Sequence, residues 1–254
     1  MKLVVVGDVM VDVVSDRLPA AGERAHGRIR LRAGGSAVNA ALAARGLGAD
    51  AQVVGRVGDD AAGDLVLATL DMHDIEAQLA RDAELSTGTA VALRDAVVAD
   101  RGANARLSPD DLPSPLRGDA LLVSGFALFQ EGSREAARTA LESFEGAWTA
   151  VDLASPRLAT LDFEARVVFA TEAEAKAVSG LERFEIVCVK DAYGASVHRG
   201  AQALAAASSR VVRTSPFGAG DAFAAAFLVA LASGAELDEV LERACAAGAA
   251  AAAG

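Results

Sequence analysis

The segment SPFGAGDAFAAAFLVAL, residues 215–231, places one carboxylate, Asp221, after three small residues and at the start of a long apolar run. Glycine lets backbone N–H groups approach an anion closely, and the positive end of the helix predicted for the apolar run would attract the same anion. A carboxylate has the wrong charge for holding phosphate. Asp221 is therefore predicted to take the proton from a hydroxyl group that attacks the phosphorus. The alternative for an isolated Gly-x-Gly-Asp is a tight turn whose aspartate caps the helix.

The elements that must position these residues follow a β-α-β order. Continuously apolar segments predict strands that are covered on both faces, namely residues 2–9, 51–58, 119–126, 148–154, 166–171 and 185–191. Segments with helical spacing lie between them, at residues 37–48, 59–74, 132–146 and 172–180. This order predicts an α/β fold with a mostly parallel sheet.

Two charged or alternating stretches interrupt that order. Residues 13–33 are turn-rich and contain the alternating piece GRIRLRA, so they are predicted to form a strand pair that projects from the main sheet. The alternating residues 87–102 are predicted to pair with it. The alanine-rich residues 244–254 have strong helix propensity.

Composition excludes several classes of partner. The 254 residues carry a formal net charge of -11, which would repel both nucleic acid and anionic lipid, and no basic cluster offsets it. The longest apolar run, residues 222–232, is shorter than the roughly 20 residues of a membrane span. Cys188 and Cys245 lie far apart in apolar settings, and the three histidines share no ligand spacing, so neither a disulfide framework nor a metal cluster is predicted. A cytoplasmic location is the expectation.

Two separated motifs resemble one family. Residues 33–66, AGGSAVNAALAARGLGADAQVVGRVGDDAAGDLV, resemble the N-terminal signature of the ribokinase-like (PfkB) carbohydrate kinases, and residues 218–231 resemble their C-terminal signature. The likeness continues through TGTAV, RGANARL, TEAEAKAVSG and VKDAYGA, and covers nearly the whole chain. It implies one kinase domain over residues 1–254, with a three-layer α/β/α ribokinase-like fold. It also implies a small β lid, formed by about residues 13–33 and 86–100, that in the family frequently mediates homodimerisation.

The same resemblance implies an ATP-dependent, Mg²⁺-requiring phosphorylation of a hydroxyl on a small sugar or nucleoside. The substrate side would contain Asp12, Gly34, Gly35 and Asn39, with Asn104 near the same cleft. The catalytic group would contain Gly218, Ala219 and Gly220 as an anion hole and Asp221 as the base. Glu174 would help to hold Mg²⁺ through water, and Lys190, Gly194 and Phe217 are expected on the nucleotide side.

Other interpretations of these residues stay open. Asp12 alone is typical of a solvated strand end, and Gly34-Gly35 of a plain turn. EAEAK, residues 172–176, is also typical of an exposed helix face with a Glu172–Lys176 pair. The alternating arginines at positions 28, 30 and 32 are candidates to contact a charged or phosphorylated sugar, although such a pattern is also typical of a solvated strand.

The chain departs from the family pattern in several places. Ser215 stands where the second signature commonly has an aspartate, and Phe217 lies immediately before the expected anion hole. Thr171 stands where an asparagine is usual, and Asp191 where a glycine is usual. Compared with the family, the hairpin before GAN is expected to be short, and the strand that usually follows the alanine-rich helix is expected to be missing. These departures motivate a second hypothesis, a catalytically weak sugar-binding or regulatory protein with a degenerate nucleotide site. A dinucleotide oxidoreductase is disfavoured because GDVMVD, residues 7–12, lacks the G-x-G-x-x-G turn.

Overall fold

A nine-stranded sheet runs through the computed structural model, which describes residues 1–17, 19–93, 96–191, 193–208 and 217–253. The strands are β1 (Lys2–Val6), β2 (Met10–Ser15), β3 (Ile29–Gly34), β4 (Asp50–Gly58), β5 (Glu76–Asp82), β6 (Gly88–Leu93), β7 (Ala96–Asp100), β8 (Ala120–Ser124), β9 (Trp148–Asp152), β10 (Val167–Thr171), β11 (Ile186–Lys190), β12 (Gly194–Arg199) and β13 (Gln202–Ala207). The α-helices are α1 (Ser36–Gly46), α2 (Ala61–Met72), α3 (Gly125–Phe129), α4 (Arg134–Ser143), α5 (Glu172–Ala177), α6 (Ala219–Ala232) and α7 (Leu237–Ala253).

The large sheet has the order β13-β12-β11-β10-β9-β8-β1-β4-β5. Its strands pair in parallel except for β12 and β13, which add an antiparallel hairpin at one edge. All six predicted strands lie in this sheet, and the predicted parallel α/β class is confirmed. The sequence interpretation missed β5 and the β12–β13 hairpin.

Both faces of the sheet are buried, which makes the predicted three layers. Leu3 and Val5 of β1 pack in one apolar cluster with α1, α6 and α7, whereas Val4 and Val6 pack in a second cluster with α3 and α4. Phe227 of α6 is fully buried, and its ring meets Phe169 of β10 edge to face at 5.2 Å. Burying such a side chain stabilises the fold by about 2–3 kcal/mol, so this contact fixes α6 firmly on the sheet.

A separate small sheet has the order β3-β2-β6-β7. β2 pairs antiparallel with β3 and parallel with β6, and β7 returns antiparallel to β6. The two predicted stretches therefore do form one sheet, joined through β2. Hydrogen bonds join the segment before β2 to the segment after β7. Arg101 donates to the Asp8 carboxylate at 2.6 Å, and the Asn104 side chain bonds both the N–H and the C=O of Val9 at 2.8 Å.

The C-terminal helix is confirmed, since α7 runs through the alanine-rich segment as far as residue 253. Cys188 and Cys245 are both buried and are not bridged to each other. Within the described ranges, no helix has the length and apolarity required to cross a membrane.

Candidate active site

The carboxyl ends of the central parallel strands border a cavity of about 340 Å³. Ligands of open α/β sheets bind outside this end of the strands. Its polar lining is formed by Ser36, Ser124, Asp152, Thr171, Glu174, Lys190 and Asp221. Ser124, Asp152, Thr171 and Lys190 are the last residues of β8, β9, β10 and β11, so the parallel pairing itself brings them together.

Asp221 lies in the first turn of α6, but it is not the residue that caps this helix. The N-cap is Gly218, in the left-handed conformation with φ 88°, and it has no side chain to cap the first N–H groups. The Asp221 carboxylate instead accepts a hydrogen bond from Asn39 Nδ2 of α1 at 3.1 Å. The capping alternative is therefore wrong, and the acid faces the cavity.

The surroundings of Asp221 favour its protonated form. Burial, followed by the negative charge of Asp152, raises the pKa of Asp221 to about 7, although the Asn39 hydrogen bond and the Lys190 ammonium oppose the shift. A carboxyl group with a pKa near neutrality can both accept and release a proton at physiological pH.

Lys190 and Asp152 form an ion pair beside the first turn of α6. Lys190 Nζ lies 2.7 Å from Asp152 Oδ2, with 12% and 18% of the two side chains exposed. A Cβ atom placed on Gly220 would lie only 3.6 Å from that ammonium group. Burial disfavours the charged form of Lys190, but Asp152 outweighs it and raises the pKa of Lys190. A fixed positive charge therefore lies next to the glycine-rich loop. The sequence interpretation missed Asp152, which only its place at the end of a predicted strand could have indicated.

Glu174 is buried and lines the cavity, so it does not belong to the exposed face of α5. Thr171 N–H donates to Glu174 Oε2 at 2.7 Å, and Glu174 N–H donates to Thr171 Oγ1 at 3.3 Å, which makes a reciprocal cap. The pair between Glu172 and Lys176 exists at 2.5 Å on the solvent side. Thr171, which departs from the family pattern, thus orients Glu174 at the cavity.

Asp12 is almost fully buried at the root of the small sheet. Burial raises its pKa to about 6, and the nearby Arg32 guanidinium limits the shift. Its Oδ2 atom has no hydrogen-bond partner among the described residues. A Cβ on Gly34 would collide with this carboxylate, and a Cβ on Gly35, whose φ is 82°, would collide with the Asp8 carbonyl. Gly34 therefore allows close packing against Asp12 and Gly35 close packing against the Asp8 backbone, so the pair is more than a plain turn.

Of the predicted site residues, which all lie in the described ranges, Glu174, Lys190, Gly220 and Asp221 line the cavity, and the others do not. Both N–H groups of the Asn104 amide are used, on Val9 O at 2.8 Å and Arg101 O at 2.9 Å, so in this arrangement Asn104 holds the cleft and donates nothing to a substrate. Gly194 begins β12 where the Ala206 carbonyl leaves no room for a Cβ. The Phe217 ring lies 5.7 Å from Arg32 Cζ. Among the described residues, neither Gly194 nor Phe217 lines the cavity.

One further departure from the family pattern, Asp191, lies in the β11–β12 hairpin. The Asp191 carboxylate accepts hydrogen bonds from the N–H groups of Tyr193 and Gly194 at 2.6 and 2.8 Å, so the β11–β12 hairpin holds it. Ser215 lies outside the described residues.

Comparison with known proteins assigns the chain to a family. Residues 1–253 match the family described as pfkB family carbohydrate kinase. A fructokinase from Klebsiella pneumoniae is 34% identical over 154 residues, which cover 58% of this chain and about half, 48%, of the relative. An ATP-dependent ribose-1-phosphate kinase from Halopiger xanaduensis is 31% identical over 256 residues, or 92% of this chain and 85% of the relative. The structure of aminoimidazole riboside kinase from Salmonella enterica superposes with a TM-score of 0.83 at 23% identity, covering 100% of this chain and 94% of that one. The chain belongs to the pfkB family of carbohydrate kinases.

Proposed function

We propose that this protein transfers the γ-phosphoryl group of ATP to a hydroxyl group of a small sugar or nucleoside. The observation that carries the proposal is the place of Asp221: a carboxylate with a pKa raised to about 7, in the first turn of a helix whose N-cap is a bare glycine, at the edge of a cavity. This arrangement joins a proton acceptor to a site for a transferring phosphate.

The reaction follows from that geometry. Asp221 takes the proton of the acceptor hydroxyl as its oxygen bonds to the γ-phosphorus, and the bond between that phosphorus and the ADP oxygen breaks. The N–H groups of residues 218–220 and the positive end of α6 stabilise the negative charge on the phosphoryl oxygens. Lys190, held next to Gly220, adds a positive charge for the nucleotide phosphates.

The acceptor would lie between Asp12 and Asp221. Asp12 Oδ2 accepts no hydrogen bond among the described residues, although Arg32 Nε lies 3.5 Å from it, so this oxygen can accept one from a sugar hydroxyl. Asn39 donates a hydrogen bond to Asp221. The small sheet, which carries Asp12, would act as a lid of one kinase domain spanning residues 1–254. Its closure would exclude the water that competes with the acceptor.

Mg²⁺ fits this cavity as an ion held largely by water and phosphate oxygens. The described residues contain no group of three or more His, Cys, Asp or Glu side chains that could hold a metal. Mg²⁺ commonly keeps several waters and uses one or two carboxylates with substrate phosphates, a role that the buried Glu174 would fill. When bound, the ion would offset charge on the phosphoryl oxygens.

The relatives support a sugar or nucleoside acceptor, since they are named for fructose, ribose 1-phosphate and aminoimidazole riboside. The structure gives less support to the degenerate alternative. Asp191 is engaged by its own hairpin, and Thr171 orients Glu174 at the cavity.

ADP release with a panel of sugars and nucleosides tests the proposal. We expect Asp221→Asn to keep the fold and to lower turnover about 10³-fold, within the usual range for loss of a general base. Asp64→Asn is the matched control, because Asp64 also lies in the first turn of a helix but is 68% exposed and paired with Arg81. Wild-type turnover in Asp221→Asn would exclude the base, and no ADP release with any acceptor, together with no ATP–Mg²⁺ binding by calorimetry, would exclude the kinase.

A further inference from the structure

The small sheet places an arginine directly beside the proposed acceptor site. Arg32 of β3 is in register with Asp12 of β2, so the two side chains lie on the same face of the sheet. Arg32 Nε is 3.5 Å from Asp12 Oδ2, and the arginine side chain is 42% exposed whereas that of Asp12 is 1% exposed. The guanidinium group thus extends from the buried acid toward solvent.

Phe217 fixes the position of Arg32 from the other side. The guanidinium carbon is 5.7 Å from the centre of the Phe217 ring, a cation–π contact, and Phe217 directly precedes Gly218 of the predicted anion hole. Arg32 therefore lies between the carboxylate expected to bind acceptor hydroxyls and the loop expected to bind the transferred phosphate. An acceptor whose hydroxyls bind Asp12 would therefore lie close to this cation.

The charge of this face is unusual for the chain. In the described parts of the four strands, the face that carries Asp12 also carries Arg30 and Arg32, and its other residues are Met10, Val14, Gly34, Gly88, Ala90, Ala92, Val97 and Ala99. It holds two arginines and one acid in a protein whose formal net charge is -11. On the nucleotide side of the cleft, by contrast, Lys190 is matched by Asp152. The acceptor side is thus a local positive region that would attract an anion.

We propose that the acceptor is a sugar phosphate, whose phosphate group binds the Arg32 guanidinium while its hydroxyls bind Asp12. This inference rests on the proposed function, because it concerns the same cleft. A planar guanidinium matches two oxygens of a phosphate, and Arg30, two residues farther along the same face, adds attraction. A neutral sugar can accept hydrogen bonds from the arginines but has no negative charge to pair with them. An arginine that was merely solvated would not pair with a buried acid and also contact the loop before the anion hole.

Matched acceptor pairs test this inference: ribose against ribose 1-phosphate and ribose 5-phosphate, and fructose against fructose 6-phosphate. The readout is the ratio of kcat/KM for each ester to that for its neutral partner, by ADP release. We expect the wild type to prefer at least one ester, Arg32→Gln to lower that ratio about 10- to 100-fold, and Arg32→Lys to lower it less. Arg24→Gln is the control, because Arg24 is an exposed residue outside β3, and its ratio should equal that of the wild type.

The outcomes separate this inference from the kinase function. A wild type that prefers the neutral member of every pair, or a ratio that does not change in Arg32→Gln, would overturn the sugar phosphate and leave the kinase intact. Absence of phosphoryl transfer, with ester binding by calorimetry that is lost in Arg32→Gln, would overturn the kinase and support the anion site. If Arg32→Gln does not fold by circular dichroism, Arg30→Gln gives the same ratio test, with a smaller expected fall.

Discussion

A carboxylate that removes a proton during catalysis must be ionised when the hydroxyl group arrives. Because burial and Asp152 raise the pKa of Asp221 to about 7, only about a tenth of the molecules would be ready at pH 6 and about nine tenths at pH 8. We therefore expect kcat/KM to rise roughly tenfold from pH 6 to pH 8 with a midpoint near 7. Initial rates at saturating ATP across this range measure it, and a flat profile would contradict the assignment of Asp221 as the base.

Asp152 should raise that midpoint further, after the larger effect of burial. It faces Lys190 at 2.7 Å, and its negative charge raises the pKa of Asp221. In Asp152→Asn the nearby negative charge is lost, which favours ionised Asp221, so the midpoint should move below 7. Asp152→Glu, which keeps the charge, should restore the wild-type profile, and Asp162→Asn, which removes an exposed ion-paired acid, should not alter it. If the midpoint of the pH profile were the same in Asp152→Asn as in the wild type, Asp152 would not affect the pKa of Asp221 and would only form the ion pair with Lys190.

Site residues that belong to sequence motifs could be predicted from the sequence, whereas contacts between residues far apart in the sequence could not. Asp12, Asn39 and Asp221 belong to motifs that the sequence displays, and the structure does bring Asn39 within 3.1 Å of Asp221. Asp152 and Lys190 are 38 residues apart, and Arg32 and Phe217 are 185 apart, so neither pair shares a local pattern. Their meeting depends on strand order and on the position of the small sheet over the cleft, which side-chain spacing does not encode.

At the scale of an element, the turn into α1 shows why the Gly-Gly pair is needed. Gly35 has φ 82°, and a Cβ there would collide with the Asp8 carbonyl, whereas a Cβ on Gly46, at the other end of the same helix, meets nothing within 4 Å. We expect Gly35→Ala to destabilise the protein by about 2 kcal/mol or more. Gly46→Ala should instead stabilise it by about 0.5 kcal/mol, because alanine favours a helix. Chemical denaturation of both variants measures the difference, and equal stability would contradict the tight turn.

Elements that are buried on both faces could be predicted, and edge elements could not. The six central strands are continuously apolar, so their sequences indicate that both of their faces are buried in the fold. β5, EAQLARD, is partly polar because it lies at one edge of the large sheet, and β13, QALAAA, is alanine-rich at the other edge and resembles a helix in composition. The small sheet was predicted as two alternating pieces, but its order was not, since the central position of β2 depends on the root contacts of Asp8 and Asn104.

At the scale of the whole molecule, the two buried acids Asp12 and Asp221 make the folding stability fall as pH rises. The pKa of Asp12 is raised to about 6 and that of Asp221 to about 7, from 3.8, so between about pH 4 and 7 the folded protein binds protons that the unfolded chain has lost. Folding stability from these two groups is therefore greatest at low pH and falls as pH rises through 7. Asp221→Asn, a neutral substitute, should raise Tm relative to the wild type, with a larger gain at pH 8 than at pH 5. An equal gain at both values would contradict the raised pKa.

The face of the small sheet opposite Asp12 is apolar and exposed, which is relevant to whether the chain forms a dimer. Leu31 and Val98 lie on the face opposite Asp12, joined in register through Val13 and Val91, and are 60% and 59% exposed. We predict that this apolar face holds two copies of the chain together, because adjoining exposed apolar side chains favour burial against a partner. Light scattering should give twice the chain mass of 25.7 kDa for the wild type and the single mass for Leu31→Glu. Met72→Glu, at a 78% exposed position on α2, is the matched control and should keep the wild-type mass. A wild type that is monomeric at micromolar concentration would contradict the prediction.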